Sequence, residues 1–227
     1  MHTSLFSAID VGGKTLENRI AMAPLYLGYA AEDGWISPML LEHYRLMAQS
    51  GAALITVENA TVDHPAGSGS NRTIRLDTDD NLAGLKELAE EIQKQGALAG
   101  IQINHAGRFA GTAEPVAPSA VDTFGRTPRA LNLDEIKDLC DKFRDAARRA
   151  KAAGFDMVEL HGGTGYLLSQ FVSPRTNQRT DDYGGSLENR MKFPLEVLSA
   201  VKSEVGDLPV GYRFLADEFL DDGLKPG

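Results

Sequence analysis

Asn132-Leu-Asp-Glu-Ile-Lys-Asp-Leu-Cys-Asp-Lys-Phe-Arg-Asp-Ala-Ala-Arg-Arg-Ala-Lys-Ala-Ala-Gly-Phe-Asp-Met-Val-Glu-Leu160 holds one complete structural unit. Asn132, with Glu135 three residues on, has the form of a capping box, in which each side chain satisfies a backbone N–H at the start of a helix. Ile136, Leu139, Cys140, Phe143 and Ala147 then recur at the spacing of a helix with one apolar face. The pattern stops near Gly154, and Phe155-Asp-Met-Val-Glu-Leu160 reads as a short buried strand with a polar residue, His161, at its end.

The same unit recurs on both sides. Leu82, Leu85, Leu88, Ala89 and Ile92 form a helical stripe that stops at Gly96, before the strand Ala99-Gly-Ile-Gln-Ile103. Ser37-Pro38 is a helix start, with Tyr44 and Met47 facing inward before Gly51 and the strand Ala53-Leu-Ile-Thr-Val57. Ser186 opens a helix running to Gly206, before the strand Pro209-Val-Gly-Tyr-Arg213; Pro194 inside it predicts a kink or a restart. With an opening strand, Arg19-Ile-Ala-Met-Ala23, the chain carries five strands separated by helices. Parallel neighbours need such crossovers, and near-continuous apolar strands suit a sheet covered on both faces. After the first strand comes Leu25-Tyr-Leu-Gly-Tyr29 rather than a Gly-x-Gly-x-x-Gly turn, which counts against a Rossmann fold. The polar residues Glu58, Gln102, His161 and Arg213 close four different strands, as at the C-terminal face of a TIM barrel. The expected fold is therefore α/β, an incomplete TIM (β/α)8 barrel with about five of its eight βα units, forming one domain over residues 1–227.

Composition narrows the classes further. A net charge of −9 lacks the basic face that nucleic acid requires, and disfavours an anionic membrane surface. One cysteine, Cys140, excludes an internal disulfide framework and a cysteine-rich metal site. Neither a signal peptide nor a run approaching about 18 apolar residues is visible, so a cytoplasmic protein is expected.

Three stretches carry a resemblance: Asn18-Arg-Ile-Ala-Met-Ala-Pro24, Ile101-Gln-Ile-Asn-His-Ala-Gly-Arg108, and the long run from His161-Gly-Gly-Thr-Gly-Tyr166 through Arg179-Thr-Asp-Asp-Tyr-Gly-Gly-Ser-Leu-Glu-Asn-Arg190. In order and spacing they resemble the signatures of old yellow enzymes and NADH:flavin oxidoreductases, over essentially the whole chain. The resemblance implies an ene-reductase: FMN over the barrel mouth, NAD(P)H as reductant, and hydride delivered to the C=C bond of an enone or enoate. Gln102 offers both donor and acceptor to a flavin edge, and Arg213 a permanent charge for the reduced ring; a plain salt bridge from Arg213 to Glu159 is the competing reading. Ala23, Pro24, Leu25, Tyr26 and Asn59 match further flavin-contact positions. His161 is expected to polarise the substrate carbonyl, and Tyr166 to protonate the α-carbon. Two positions depart from the pattern. Thr164 stands where the family has His or Asn, giving a single hydroxyl to share the grip with His161, and Tyr26 stands where Thr or Cys commonly tunes the flavin, so that role is not carried over. Residues 179–190 are expected to brace Tyr166 without touching substrate, and His105 and Arg108 to support the site from behind.

The sequence stops soon after its fifth strand, at Asp221-Asp-Gly-Leu-Lys-Pro-Gly227. In the family the flavin phosphate is held by loops after strands seven and eight, so the chain is expected to be a truncated form or the first part of a longer protein, with poor FMN retention by itself and two open sheet edges. A 4Fe-4S cluster and FAD, carried by some relatives, would require a longer parent chain. Two other classes compete with this reading. A metal-dependent hydrolase or aldolase using Glu58, Glu159 and His161 finds no His-x-His or His-Glu-x-x-His spacing; a catalytically incomplete fragment would act only as a binding module through its open edges. The resemblance is compatible with NADH or NADPH as reductant and with assembly as a homo-oligomer.

Overall fold

The glycines that end the helices all take positive φ, 84° at Gly51, 91° at Gly96, 88° at Gly154 and 61° at Gly206, where any other residue would be strained. The computed structural model describes residues 4–225. A hairpin, β1 (Ile9–Val11) and β2 (Lys14–Leu16), comes first, then β3 (Ala21–Met22), α1 (Pro38–Ala48), β4 (Leu54–Thr61) and β5 (Ile74–Arg75). α2 (Leu82–Gln93), β6 (Leu98–Asn104), β7 (Val116–Ala117), β8 (Arg129–Ala130) and α3 (Leu133–Ala152) form the middle of the chain. β9 (Met157–Gly162), α4 (Leu167–Val172), α5 (Leu187–Val205) and β10 (Val210–Phe214) complete it.

The helix starts follow from their caps. Ser37 Oγ accepts from Leu40 N at 3.1 Å with Pro38 in the first turn. The capping box at α3 is formed: Asn132 Oδ1 accepts from Glu135 N at 2.9 Å, and Glu135 Oε2 from Asn132 N at 2.8 Å. Of the kink or restart expected at Pro194, the restart does not occur: α5 runs through as a single helix. Pro194 and Phe193 are buried against the core, and that packing outweighs the one backbone hydrogen bond a proline removes.

The strand order across the main sheet is β10-β9-β6-β4-β3, every pairing is parallel, and β5 adds a short pairing to β4. Spatial order thus repeats chain order. A doubly wound sheet would reverse direction at a switch point; this one advances strand by strand as a TIM barrel does, and it is a partial barrel. The strand expected over residues 19–23 contributes only two paired residues, Ala21 opposite Leu54 and Met22 opposite Ile55, because it lies at the outer edge with one neighbour.

Ile55, Val57, Ile101, Ile103, Val158 and Leu160 are buried in one core with Leu85, Leu88 and Ile92 of α2, Phe143 and Ala147 of α3, and Val197 and Val201 of α5. Side chains alternate along a strand, so the residues between them, Gln102, Glu159 and His161 among others, turn to the barrel interior. At the opposite end, Ile9 and Leu16 of the hairpin pack on Ala53, Leu54, Leu98 and Met157, covering the N-terminal ends of the strands. The C-terminal ends are left for the site.

Candidate active site

The parallel register brings the polar strand ends together. Gln102 lies opposite Glu159, and Arg213 opposite His161, on three adjacent strands. Glu159 is the link between them: its Oε1 accepts from Gln102 Nε2 at 2.8 Å and from Arg213 Nε at 2.8 Å. The salt bridge read as the alternative for Arg213 is therefore formed, on the same face as His161. Burial and the Arg213 charge lower the His161 pKa to about 4, which leaves the ring neutral. Its Nε2 lies 3.1 Å from Thr164 Oγ1, while Nδ1 is buried without a partner among the described residues.

Thr164 stands in the turn between β9 and α4 with φ +52°, and the turn ends at Tyr166, the N-cap of α4. Tyr166 sets its ring edge-on to His161, centroids 5.0 Å apart, and to Phe109 at 6.1 Å. Burial first, then the neighbouring Tyr26, raise its pKa above the ordinary phenol value, so its proton stays on across the neutral range. The turn is tied down by Gln170, a buried residue the sequence reading did not single out. Its Nε2 donates to Gly165 O at 2.7 Å and to Ala106 O at 3.3 Å, and its Oε1 accepts from Arg108 N at 3.2 Å, joining the loops after β6 and β9. Residues 177–190 tie down the far end of α4 and the segment before α3. Asn177 donates to Phe171 O at 2.7 Å, Arg190 Nε to Val172 O at 2.7 Å, and Arg179 to Leu131 O at 2.6 Å as well as to Asp181. Arg190 thus works through backbone carbonyls. His105 is buried behind the site, with Nδ1 accepting from Gly107 N at 3.0 Å, and Arg108 stacks on Phe109.

On the other side, Ala23, Pro24, Leu25 and Tyr26 follow β3 directly; Leu25 and Tyr26 are exposed, and the Tyr26 hydroxyl meets Ser70 Oγ. β4 carries a bulge here: between the Val57–Ile101 and Ala60–Ile103 pairs, Glu58 and Asn59 face the single residue Gln102. Bulges re-aim side chains beside active sites, and no local sequence signal announces this one. Glu58 is fully buried, and its Oε2 accepts from Leu27 N at 3.1 Å while Oε1 lacks a partner among the described residues. Desolvation pushes its pKa up to about 7, against the lowering effect of the Leu27 and Gly28 backbone N–H groups. Glu58 was legible only as a polar strand end and Glu159 as a salt-bridge partner for Arg213; that Glu159 also meets Gln102 depends on strand register.

The family model described as NADH:flavin oxidoreductase / NADH oxidase matches residues 4–226. The chain belongs to this family. It is 46% identical over 228 residues to an NADH oxidase of Thermoanaerobacter brockii, covering 97% of this chain and 35% of that one. Against an NADPH dehydrogenase of Bacillus pumilus (strain SAFR-032) it is 43% identical over 229 residues, covering 99% and 67%. Its structure is similar to that of morphinone reductase in complex with tetrahydroNAD, with TM-score 0.89 and 35% identity over 98% of this chain and 66% of that one. The chain therefore spans about a third of the first relative's length and about two thirds of the other two. The old yellow enzyme resemblance, the partial TIM barrel and the oxidoreductase class read from the sequence are borne out. Among the described residues no helix is long and apolar enough to cross a membrane.

Proposed function

We propose that the protein carrying this chain is an FMN-dependent ene-reductase, acting with NAD(P)H on the C=C bond of α,β-unsaturated carbonyl compounds. The observation that carries this reading is that Gln102, His161, Tyr166 and Arg213 gather at the C-terminal rim of one parallel sheet. The rim residues fit a flavin by their chemistry. Gln102 commits its amide nitrogen to Glu159, leaving its carbonyl oxygen for a ligand N–H. Arg213 brings a cation to a site where reduction creates negative charge. Asn59 and the backbone of Ala23, Pro24 and Leu25 would complete the cofactor's contacts, with Tyr26 bounding it. A bound FMN supplies hydride transfer, from NAD(P)H to the alkene. The relatives named NADH oxidase and NADPH dehydrogenase, and morphinone reductase with its nicotinamide analogue, support a nicotinamide reductant.

His161, neutral at pH 7, has one ring N–H to give. Aimed from Nε2, with the Thr164 hydroxyl 3.1 Å away, it would bind the substrate carbonyl oxygen and draw electron density from the alkene. Tyr166 holds a proton on a phenol that stays protonated, and would deliver it to the α-carbon. Stopped-flow measurement of the two half-reactions tests the assignment. Tyr166→Phe is expected to slow alkene reduction by about 10²-fold or more while reduction by NAD(P)H keeps its rate; an equal fall in both would remove Tyr166 from the proton-donor role.

A further inference from the structure

Glu159 touches both side chains that the flavin reading places against the cofactor. Its Oε1 receives Gln102 Nε2 at 2.8 Å and Arg213 Nε at 2.8 Å, and Oε2 lies 3.4 Å from Arg213 Nη2. The strand register enforces the meeting, since Gln102 and Gly211 both lie directly opposite Glu159 on its two flanking strands and Arg213 stands two residues further on. The Glu159 side chain is 15% exposed and that of Arg213 40%.

A shared carboxylate acts differently on its two partners. On Gln102 the effect is geometric. An ionised carboxylate only accepts, so the amide must present its NH2 to Glu159, and its carbonyl oxygen is thereby turned the other way. On Arg213 the effect is electrostatic. A carboxylate in contact offsets the guanidinium's field at any third group, and more strongly where water is excluded. We propose that Glu159 is a positioning residue of the flavin site, which fixes the orientation of Gln102 and moderates the charge of Arg213, so holding the reduction potential of the bound flavin below the value Arg213 alone would set. The inference rests on the flavin reading. Its rival is an ion pair that serves the fold only, a role that would leave the cofactor's affinity and potential where they were.

Two variants separate the effects in the protein carrying this chain. Glu159→Gln keeps an acceptor of the same length but removes the charge. The flavin potential is expected to rise, corresponding to about tenfold tighter relative binding of the reduced form, or about 30 mV for a two-electron couple. Glu159→Asp keeps the charge but is one methylene too short to hold both partners. FMN affinity, measured by fluorescence quenching, is expected to fall about tenfold, the loss of one oriented hydrogen bond, with the potential nearer the parent value. Parent-like affinity and potential in both variants would overturn the inference, as would a lowered potential in Glu159→Gln. A parent protein that binds no FMN would instead remove the flavin reading, and this inference with it.

Discussion

Gln102 is 3% exposed on a core strand, yet it is a primary amide with two donors and an acceptor. A buried amide needs partners, and Glu159 supplies one of them. Replacing it with leucine removes both the contact to Glu159 and the edge offered to a flavin. For Gln102→Leu we expect FMN binding to weaken by about 1–3 kcal/mol, roughly 5- to 150-fold in dissociation constant, measured by titration of flavin fluorescence; unchanged occupancy would refute the contact. The residue types at positions 102, 161 and 166 were readable because each closes or follows a strand within a specific motif, and that at 213 because it closes the fifth strand. Glu159 stands just ahead of the third motif and was legible as a salt-bridge partner for Arg213, but nothing in its neighbours along the chain identifies it as the junction of two other strands. Thr164 is a different case. Its type was readable as a departure from the family pattern, while its 3.1 Å contact to His161 required the folded turn.

At the scale of single elements, local chemistry decides most of the outcome. α3 is the clearest instance: Asn132 caps it through Asp134 N and Glu135 N, Asp134 and Glu135 occupy its first turn, and Arg149 and Lys151 its last. Those charges suit the helix dipole at each end. Asn132→Ala is expected to cost about 1 kcal/mol, seen as a lower urea midpoint with an unchanged slope; no shift would mean that tertiary packing alone maintains the end of α3. α5 shows the limit of such reasoning. A proline in mid-helix is costly in isolation, but Phe193, Pro194, Val197, Val201 and Val205 form a buried face along which the helix continues without a break. Short elements escaped for the opposite reason: β7 and β8 pair over two residues each, too few to impose a period on the sequence.

Over the whole molecule, the titrating groups buried around the barrel make stability depend on pH. His105 and His161 are held at about 4, in each case chiefly by burial, against an ordinary 6.5. Unfolding releases them to take up protons, so the stability gained by keeping them neutral is complete above pH 6.5 and is lost as pH falls from 6.5 to 4. Glu58 acts in the opposite sense. Its native carboxyl, at about 7, keeps a proton that the unfolded side chain surrenders near 4.5, so stability declines as pH rises between those values. Two histidines outweigh one carboxyl, and urea midpoints are expected to rise from pH 4.5 to 6.5. Glu58→Gln should steepen that rise and abolish any decline between pH 6.5 and 7; a variant with the parent's pH profile would show that Glu58 titrates normally. The main helices and strands, the caps of α1, α3 and α5, the glycines between these units and the family motifs were determined by the sequence itself, because each depends on residues within a few positions of one another. The bulge that sets Glu58 and Asn59 beside Gln102, the hold of Gln170 on two loops, and the carboxylate shared by Gln102 and Arg213 were settled only by the tertiary fold. The last of these joins residues 57 and 54 positions away from Glu159, a separation at which strand register and burial choose the partners and local periodicity has no hold.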